Sequence, residues 1–271
     1  MPSPLSNQLL VAYDAQVRAR VPERLPTGET VESDGPLLRF SGGAGQGWIL
    51  YRDLGGIDGD ELDELIARQV AFFAERDQRF EWKYHGHDLP ADLPERLLAA
   101  GFRAEDTETI VIASVAGIAG EPRLPEGVTL REVTERADFE RIAGLEAAVW
   151  GEEGQDSWLP DMLESERAVD PNDLDIVVAE VGDTVVCAAW IRYAHDTEFA
   201  TLWGGATLPD YRRRGIYRAT VAYRANLAAA RGFRYLETDA SDDSNPILQR
   251  LGFVPVTTST PFVWSPPGGR R

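Results

Sequence analysis

Two kinds of apolar spacing alternate along the chain. Over Glu135–Val149, the residues Phe139, Ile142, Leu145 and Val149 recur at helical spacing, and Ile216, Thr220, Tyr223, Leu227 and Ala230 draw one stripe along Ile216–Arg231. Leu174–Val181 and Thr184–Arg192 are instead apolar runs of strand length, and the Gly182-Asp183 pair between them is a hairpin signal. Phe199–Thr207 and Tyr235–Ala240 read as further strands, Val128–Glu132 as a short one, and a short helix and a final strand follow. Helices before and after a largely antiparallel meander predict a mixed α/β fold, a mostly antiparallel sheet flanked by helices.

The first half carries a helix at Glu61–Glu75 and a strand at Phe80–Tyr84, and it ends as the second half does. Residues 94–112 read PERLLAAGFRAEDTETIVI, and residues 246–264 read PILQRLGFVPVTTSTPFVW. In each, a short apolar helix runs into Gly-Phe and then a Thr-rich extended segment. Gly101 and Gly252 are expected to end their helices in a left-handed conformation, with Phe102 and Phe253 turned inward. We read a duplicated α/β unit: a first module at 1–115, a Gly/Pro/Ala-rich linker at 116–126, a second module at 127–264 and a tail at 265–271.

Composition narrows the function. Hydrophobic residues make up 43% and charged residues 27%, as in soluble globular chains. A formal net charge of −18 repels phosphate backbones and anionic lipid, so no nucleic acid and no membrane partner is expected, whereas a cationic amine is attracted. No run approaches the roughly 18 apolar residues of a membrane span, and residues 1–12 lack the basic start and apolar core of a signal peptide. The single cysteine, Cys187, lies in an apolar run and reads as a buried small hydrophobe. One cysteine forms no internal disulfide, which fits a reducing compartment, so the expected location is cytoplasmic. No metal is expected: His85 and His87 beside Asp88 fall short of a ligand set, and His195 reads as a surface residue in a turn.

The most informative run is Leu202–Tyr217, LWGGATLPDYRRRGIY. A strand ends, Pro209 stops it, and a basic turn opens a helix whose N-terminal amides face an anion. Gly215 allows close backbone approach, and Arg212, Arg213 and Arg214 concentrate positive charge in an otherwise acidic chain. One turn of this kind suits a diphosphate better than a polyanion.

This run resembles the acetyl-CoA signature of the GNAT superfamily, Arg/Gln-x-x-Gly-x-Gly/Ala, carried here by Arg212, Gly215 and Tyr217. The LQRLGF run, Leu248–Phe253, resembles the family's closing helix-Gly-Phe element, so the resemblance covers about residues 128–264. The counterpart turn of the first half, DLGGIDGDE at 53–61, has several acids and no arginine; the chain as a whole looks like two-module bacterial GNAT proteins with a degenerate first half. The resemblance implies acetyl-CoA as co-substrate, its pyrophosphate on the amides and side chains of Arg212, Arg213, Arg214, Gly215, Ile216, Tyr217 and Arg218, and its pantetheine arm along Ala206, Thr207 and Leu208. Ser241 stands near the position of the family's frequent asparagine, and Leu248 stands where many members carry an acidic tyrosine. Tyr217 replaces the usual small residue and must point away from the pyrophosphate.

Acetyl transfer needs a neutral amine, a base and an oxyanion donor. We expect the donor at the amide of Thr207 or Leu208, and Glu237 as base with Asp239 second. The acceptor pocket is expected around Trp150, Glu153, Asp156 and Trp158. The implied reaction is N-acetylation of a primary amine, of a small molecule first, by a monomer or homodimer. An acyl-CoA sensor or scaffold without turnover, and a peptide or protein N-acetyltransferase, are the alternatives.

Overall fold

The computed structural model describes residues 3–43, 45–151 and 158–267. In chain order the elements are α1 (Pro4–Gln16), β1 (Glu29–Asp34), β2 (Leu37–Gly42), β3 (Gly47–Leu50), α2 (Gly59–Ala74), β4 (Phe80–His85), α3 (Leu93–Ala99), β5 (Arg103–Ala104), β6 (Glu108–Ser114) and α4 (Val115–Ile118). They continue as β7 (Thr129–Val133), α5 (Arg136–Trp150), α6 (Trp158–Val169), β8 (Leu174–Val181), β9 (Thr184–Tyr193), β10 (Phe199–Thr207), α7 (Ile216–Ala230), β11 (Tyr235–Ala240), α8 (Asn245–Leu251) and β12 (Val254–Trp264). The fold is mixed α/β with mostly antiparallel strand pairs flanked by helices.

Two compact units emerge, and their limits differ from the expected linear boundaries. The first comprises Met1–Val111, Asp239–Asn245 and Pro255–Arg271; the second comprises Ile112–Thr238 and Pro246–Val254. The last strand explains the difference: Ser259–Trp264 of β12 pair antiparallel with Phe80–His85 of β4. Residues beyond about 254 therefore count with the first unit, because backbone pairing overrides sequence proximity. The expected linker is not free chain either. It begins inside α4, and Asn226 both donates to and accepts from the Gly120 backbone, at 2.8 and 2.9 Å.

In the first unit, α2 turns Leu62, Leu65, Ile66 and Phe73 onto Ile49 of β3 and Phe80 and Trp82 of β4, and the Phe73 and Phe80 rings stack at 4.1 Å. Helix α1 starts where Ser3 accepts the amide of Ser6 and Pro4 takes a first-turn position that needs no N–H donor.

In the second unit the strands lie in the order β11-β10-β9-β8-β7, parallel between β10 and β11 and antiparallel elsewhere. The β8–β9 ladder closes at Val181 and Thr184 across the predicted two-residue turn. Alternate residues serve opposite faces. Ile176, Val178, Ala188 and Trp190 meet α5 and α6, whereas Ala179 and Cys187 meet Ile216 of α7. Helix α6 escapes the sequence reading because Pro160 interrupts its pattern. Pro160 stands in the first turn, where a missing N–H costs nothing, and Leu159 and Leu163 are buried behind it. Gly101 and Gly252 have φ of 93° and 110°, and Phe102 and Phe253 are buried.

Strand β10 is bulged: its register against β9 shifts between Gly204 and Ala206. Gly205 has φ of 97°, and a Cβ there would lie 2.6 Å from Cε2 of Tyr217. The missing side chain at Gly205 is what gives the Tyr217 ring its seat. Gly205→Ala is expected to cost about 2 kcal/mol, from the positive φ and from overpacking; urea unfolding midpoints of variant and wild type measure it, and equal midpoints would disprove the contact's importance.

Candidate active site

The turn after β10 is built to leave amides open. A single 3₁₀ turn at Pro209–Tyr211 follows the strand, then Arg213 and Gly215 both take positive φ, at 59° and 86°, before α7 begins. Two such residues so close together curl successive N–H groups toward one concavity. Gly215 is the N-cap of α7 and offers no side-chain acceptor, and the first turn contains no acid. The orphan amides of that turn, with the positive end of the helix dipole, therefore face outward uncapped.

The arginines divide the work around it. Arg212 Nε donates to the carbonyl of Thr207 at 3.0 Å, tying the turn to the strand end. The Arg214 guanidinium lies 5.2 Å from the Tyr211 ring centroid. Arg212, Arg213, Arg214, Gly215 and Arg218 are exposed, whereas Ile216 is buried and presents the chain only through its backbone. Tyr217 points back against Gly205, away from the open amides, so its size does not block the turn.

Below the turn, β10 and β11 part. Their parallel register runs through Phe199 and Tyr235, Ala200 and Leu236, and Thr201 and Glu237. Thr238 then closes the pairing by donating from Oγ1 to the carbonyl of Leu202 at 2.8 Å. Arg224 of α7, fully buried, donates to the carbonyls of Thr220, Trp190 and Trp203 at 3.0 to 3.2 Å. One cation thus satisfies carbonyls that the bulge and the parting strands release, and its burial lowers its affinity for its proton.

The strand end has a defined polarity. The Leu208 amide donates to the Val186 carbonyl at 3.0 Å, and the Leu208 carbonyl accepts from Tyr211 at 2.9 Å. The Leu208 amide is therefore engaged within the sheet and its carbonyl in the turn. In an antiparallel ladder the neighbouring residue faces the other way, so the Thr207 N–H points from β9 toward the parting. Its carbonyl on that side is the one held by Arg212, and its Oγ1 donates to Sγ of Cys187 at 3.3 Å. Ala206 is buried in the layer under α5.

The carboxylates fall into different settings. Glu237 is buried, on the last paired rung beside Thr201. Asp239 and Ser241 count with the first unit, not the second. Lys83 ion-pairs with Asp239 through Oδ2, and Ser259 donates to the same oxygen at 3.2 Å. Ser241 is spent in a local turn with Ser244 and Asn245. Leu248 is fully buried.

One buried acid had no signal in the sequence beyond its place on a helical stripe: Glu146 of α5, only 7% exposed. Its Oε1 has no hydrogen-bond partner. Burial pushes its carboxyl up to about 7, against a hydrogen bond with Trp150 that lowers it. Of the expected acceptor residues, Glu153 and Asp156 lie outside the described residues. Trp150 and Trp158 end α5 and begin α6, both exposed, as is Trp203 of β10.

The first unit repeats the device and closes it. Beside β3 and β4 the parallel register runs from Gly47 and Phe80 to Ile49 and Trp82. Past that rung a buried network occupies the strand ends. Tyr51 donates to Asp88 at 2.5 Å, Arg18 lies 2.7 Å from Asp88, and Tyr13 pairs with His85 at 3.2 Å. The turn before α2 is acidic, with Asp53 accepting the Gly55 amide and Asp60 and Glu61 in the first helical turn. His87 is held by Asp14 and Thr257, and among the described residues no group of three His, Cys, Asp or Glu side chains could hold a metal. His195 is a surface residue, 3.1 Å from Asp173. No described helix is long and apolar enough to cross a membrane.

Known proteins resemble this chain in part of its sequence and in its fold. Residues 139–253 match the model of the acetyltransferase (GNAT) family. A GCN5-related N-acetyltransferase from Kribbella flavida has a similar structure at 17% identity, over 97% of this chain and 96% of its own, with a TM-score of 0.66. A tandem GNAT protein from the clavulanic acid biosynthesis pathway, solved without AcCoA, is similar at 15% identity over 96% and 94%, with a TM-score of 0.60. A GCN5-related N-acetyltransferase from Sphaerobacter thermophilus is similar at 16% identity over 89% and 77%, also with a TM-score of 0.60. No curated protein matches the chain in sequence.

The raised Glu146 carboxyl sets a pH dependence. A folded value near 7 against an unfolded value near 4.5 means that the native state holds the extra proton, so this group's contribution to stability declines as pH rises through that window. Glu146→Gln removes the ionisation. Its stability relative to wild type is expected to shift in its favour by about 2–3 kcal/mol between pH 4 and pH 8, read from urea midpoints at both pH values; a pH-independent difference would refute the shift.

Proposed function

We propose, from the match of residues 139–253 to the acetyltransferase (GNAT) family model, that the chain moves an acetyl group from acetyl-CoA to a primary amine of a small molecule in a ternary complex. The observation that carries this reading is the uncapped, acid-free N-terminus of α7 behind an exposed triple-arginine turn. Those groups fit a diphosphate: the amides of Arg214, Gly215, Ile216 and Tyr217 with the first helical turn would hold it, and Arg213, Arg214 and Arg218 supply countercharge. When bound, acetyl-CoA supplies the activated acyl carbonyl. The outward N–H of Thr207 is the donor suited to charge developing on that carbonyl's oxygen. The exposed indoles of Trp150, Trp158 and Trp203 offer faces to a cationic acceptor, which the net charge of −18 attracts.

A second reading, a binding protein that holds acyl-CoA without turnover, is favoured by one observation. Leu248 is buried and apolar, so that position provides no acid for the departing thiol. Turnover of any amine in a panel eliminates this alternative.

The double substitution Arg214→Glu with Gly215→Asp places two carboxylates at the mouth of α7. It is expected to weaken coenzyme A binding at least 100-fold while the circular dichroism spectrum stays native. Titration calorimetry measures the affinity, and unchanged affinity in a folded variant would reject the turn as the diphosphate site.

A further inference from the structure

We propose that Glu146 is the group that takes the proton from the acceptor amine, a role that rests on the acetyltransfer reading above. The geometry begins with its place on α5. Glu146 follows Ile142 by one helical turn on the stripe buried against the sheet. That layer contains Leu145, Ala188, Trp190 and Ala206. Helix α5 packs on β9 and β10, the strands that hold Cys187 in register with Thr207, whose N–H points into the parting of β10 and β11. Glu146 therefore lies near the rung where the acyl carbonyl would be received, across the sheet from α7.

Among the described residues, Oε1 of Glu146 and Nε1 of Trp190 are buried and have no hydrogen-bond partner. A buried acceptor and a buried donor left open in a packed layer are costly for a fold that uses them only to pack. An ammonium or amine head supplies the donor that Oε1 lacks.

The protonation state agrees with the position. Burial lifts the Glu146 carboxyl to about 7, and no charged side chain among the described residues contributes to that shift; Cys187 is the titratable neighbour, itself raised by burial. A base with that affinity is half ionised near neutrality, where it accepts a proton and gives it back readily. Glu237, on the final rung beside Thr201, is tied into interactions of its own.

The step balances as follows. The ammonium passes one proton to Oε1 of Glu146 and becomes a neutral amine. Its nitrogen lone pair forms the C–N bond to the acyl carbon, the C–S bond breaks with its electron pair on sulfur, and a second N–H proton goes to that sulfur. Glu146 then releases its proton to solvent.

Two measurements test the assignment on the full chain. The first is the pH profile of kcat/KM for acetyl-CoA with an amine that the wild type turns over. The wild type is expected to lose activity on an acid limb near pH 7. Glu146→Gln is expected to lower the rate at pH 8 by 10²-fold or more and to abolish that limb, with the KM for acetyl-CoA unchanged, while Glu146→Asp keeps a weakened limb. The second uses protein without acetyl-CoA: burial raises Glu81 and Glu108 to about 7 as well, so infrared difference spectra should contain protonated-carboxyl absorption that titrates near pH 7 in wild type, and Glu146→Gln should lose one carboxyl's share of it. A limb that survives in Glu146→Gln, or that vanishes instead in Glu237→Gln, overturns the proposal while leaving acetyltransfer standing. An unchanged carboxyl band overturns it as well. Binding of coenzyme A without turnover of any amine by wild type overturns the acetyltransfer reading, and this inference with it.

Discussion

The candidate site of this chain is shaped by where β10 and β11 stop pairing. Past Thr201 and Glu237 the two strands separate, and a parallel pair that separates leaves one edge of backbone groups without a partner. The fold compensates locally. Thr238 takes the Leu202 carbonyl, buried Arg224 takes those of Trp190 and Trp203, and Arg212 takes that of Thr207. The Thr207 N–H faces the same opening, by the alternation of the β9–β10 ladder.

The bulge at Gly204–Gly205 and the cap at Gly215 serve the same end from two sides. The bulge seats Tyr217 where a side chain at Gly205 would stand, which lets the first turn of α7 lie close to the strand. The cap ends the turn without contributing an oxygen to the first-turn amides. Glycine suits that cap because φ of 86° is strained for a residue with a side chain, and the same glycine leaves the first-turn amides without a side-chain oxygen.

The first unit shows the same arrangement with its donors consumed. Its strands part after Ile49 and Trp82, but Tyr51, Asp88, Arg18, Tyr13 and His85 fill the ends with a buried network, and Asp53 takes the amide of Gly55 in the turn. The framework of this unit rests on Phe73, Phe80, Trp82 and their neighbours.

Much of this was legible in the linear chain because the signals are local. The hairpin at Gly182-Asp183, the helix ending at Gly252, the inward Phe253 and the basic turn opening α7 each depend on a few adjacent residues whose torsions or charges admit one reading. Helix α6 was hidden by Pro160, which forbids a helix interior but not a first turn, and the difference lies in where the helix begins. Tertiary structure alone decided the rest. Whether β12 pairs with its own half, whether the Leu208 amide is free, and whether Asp239 is open or held by Lys83 are questions of non-local pairing. So is the state of Glu146, an ordinary helical glutamate by sequence. Its carboxyl is changed by the layer that buries it, and burial is a property of contacts between residues far apart in the chain.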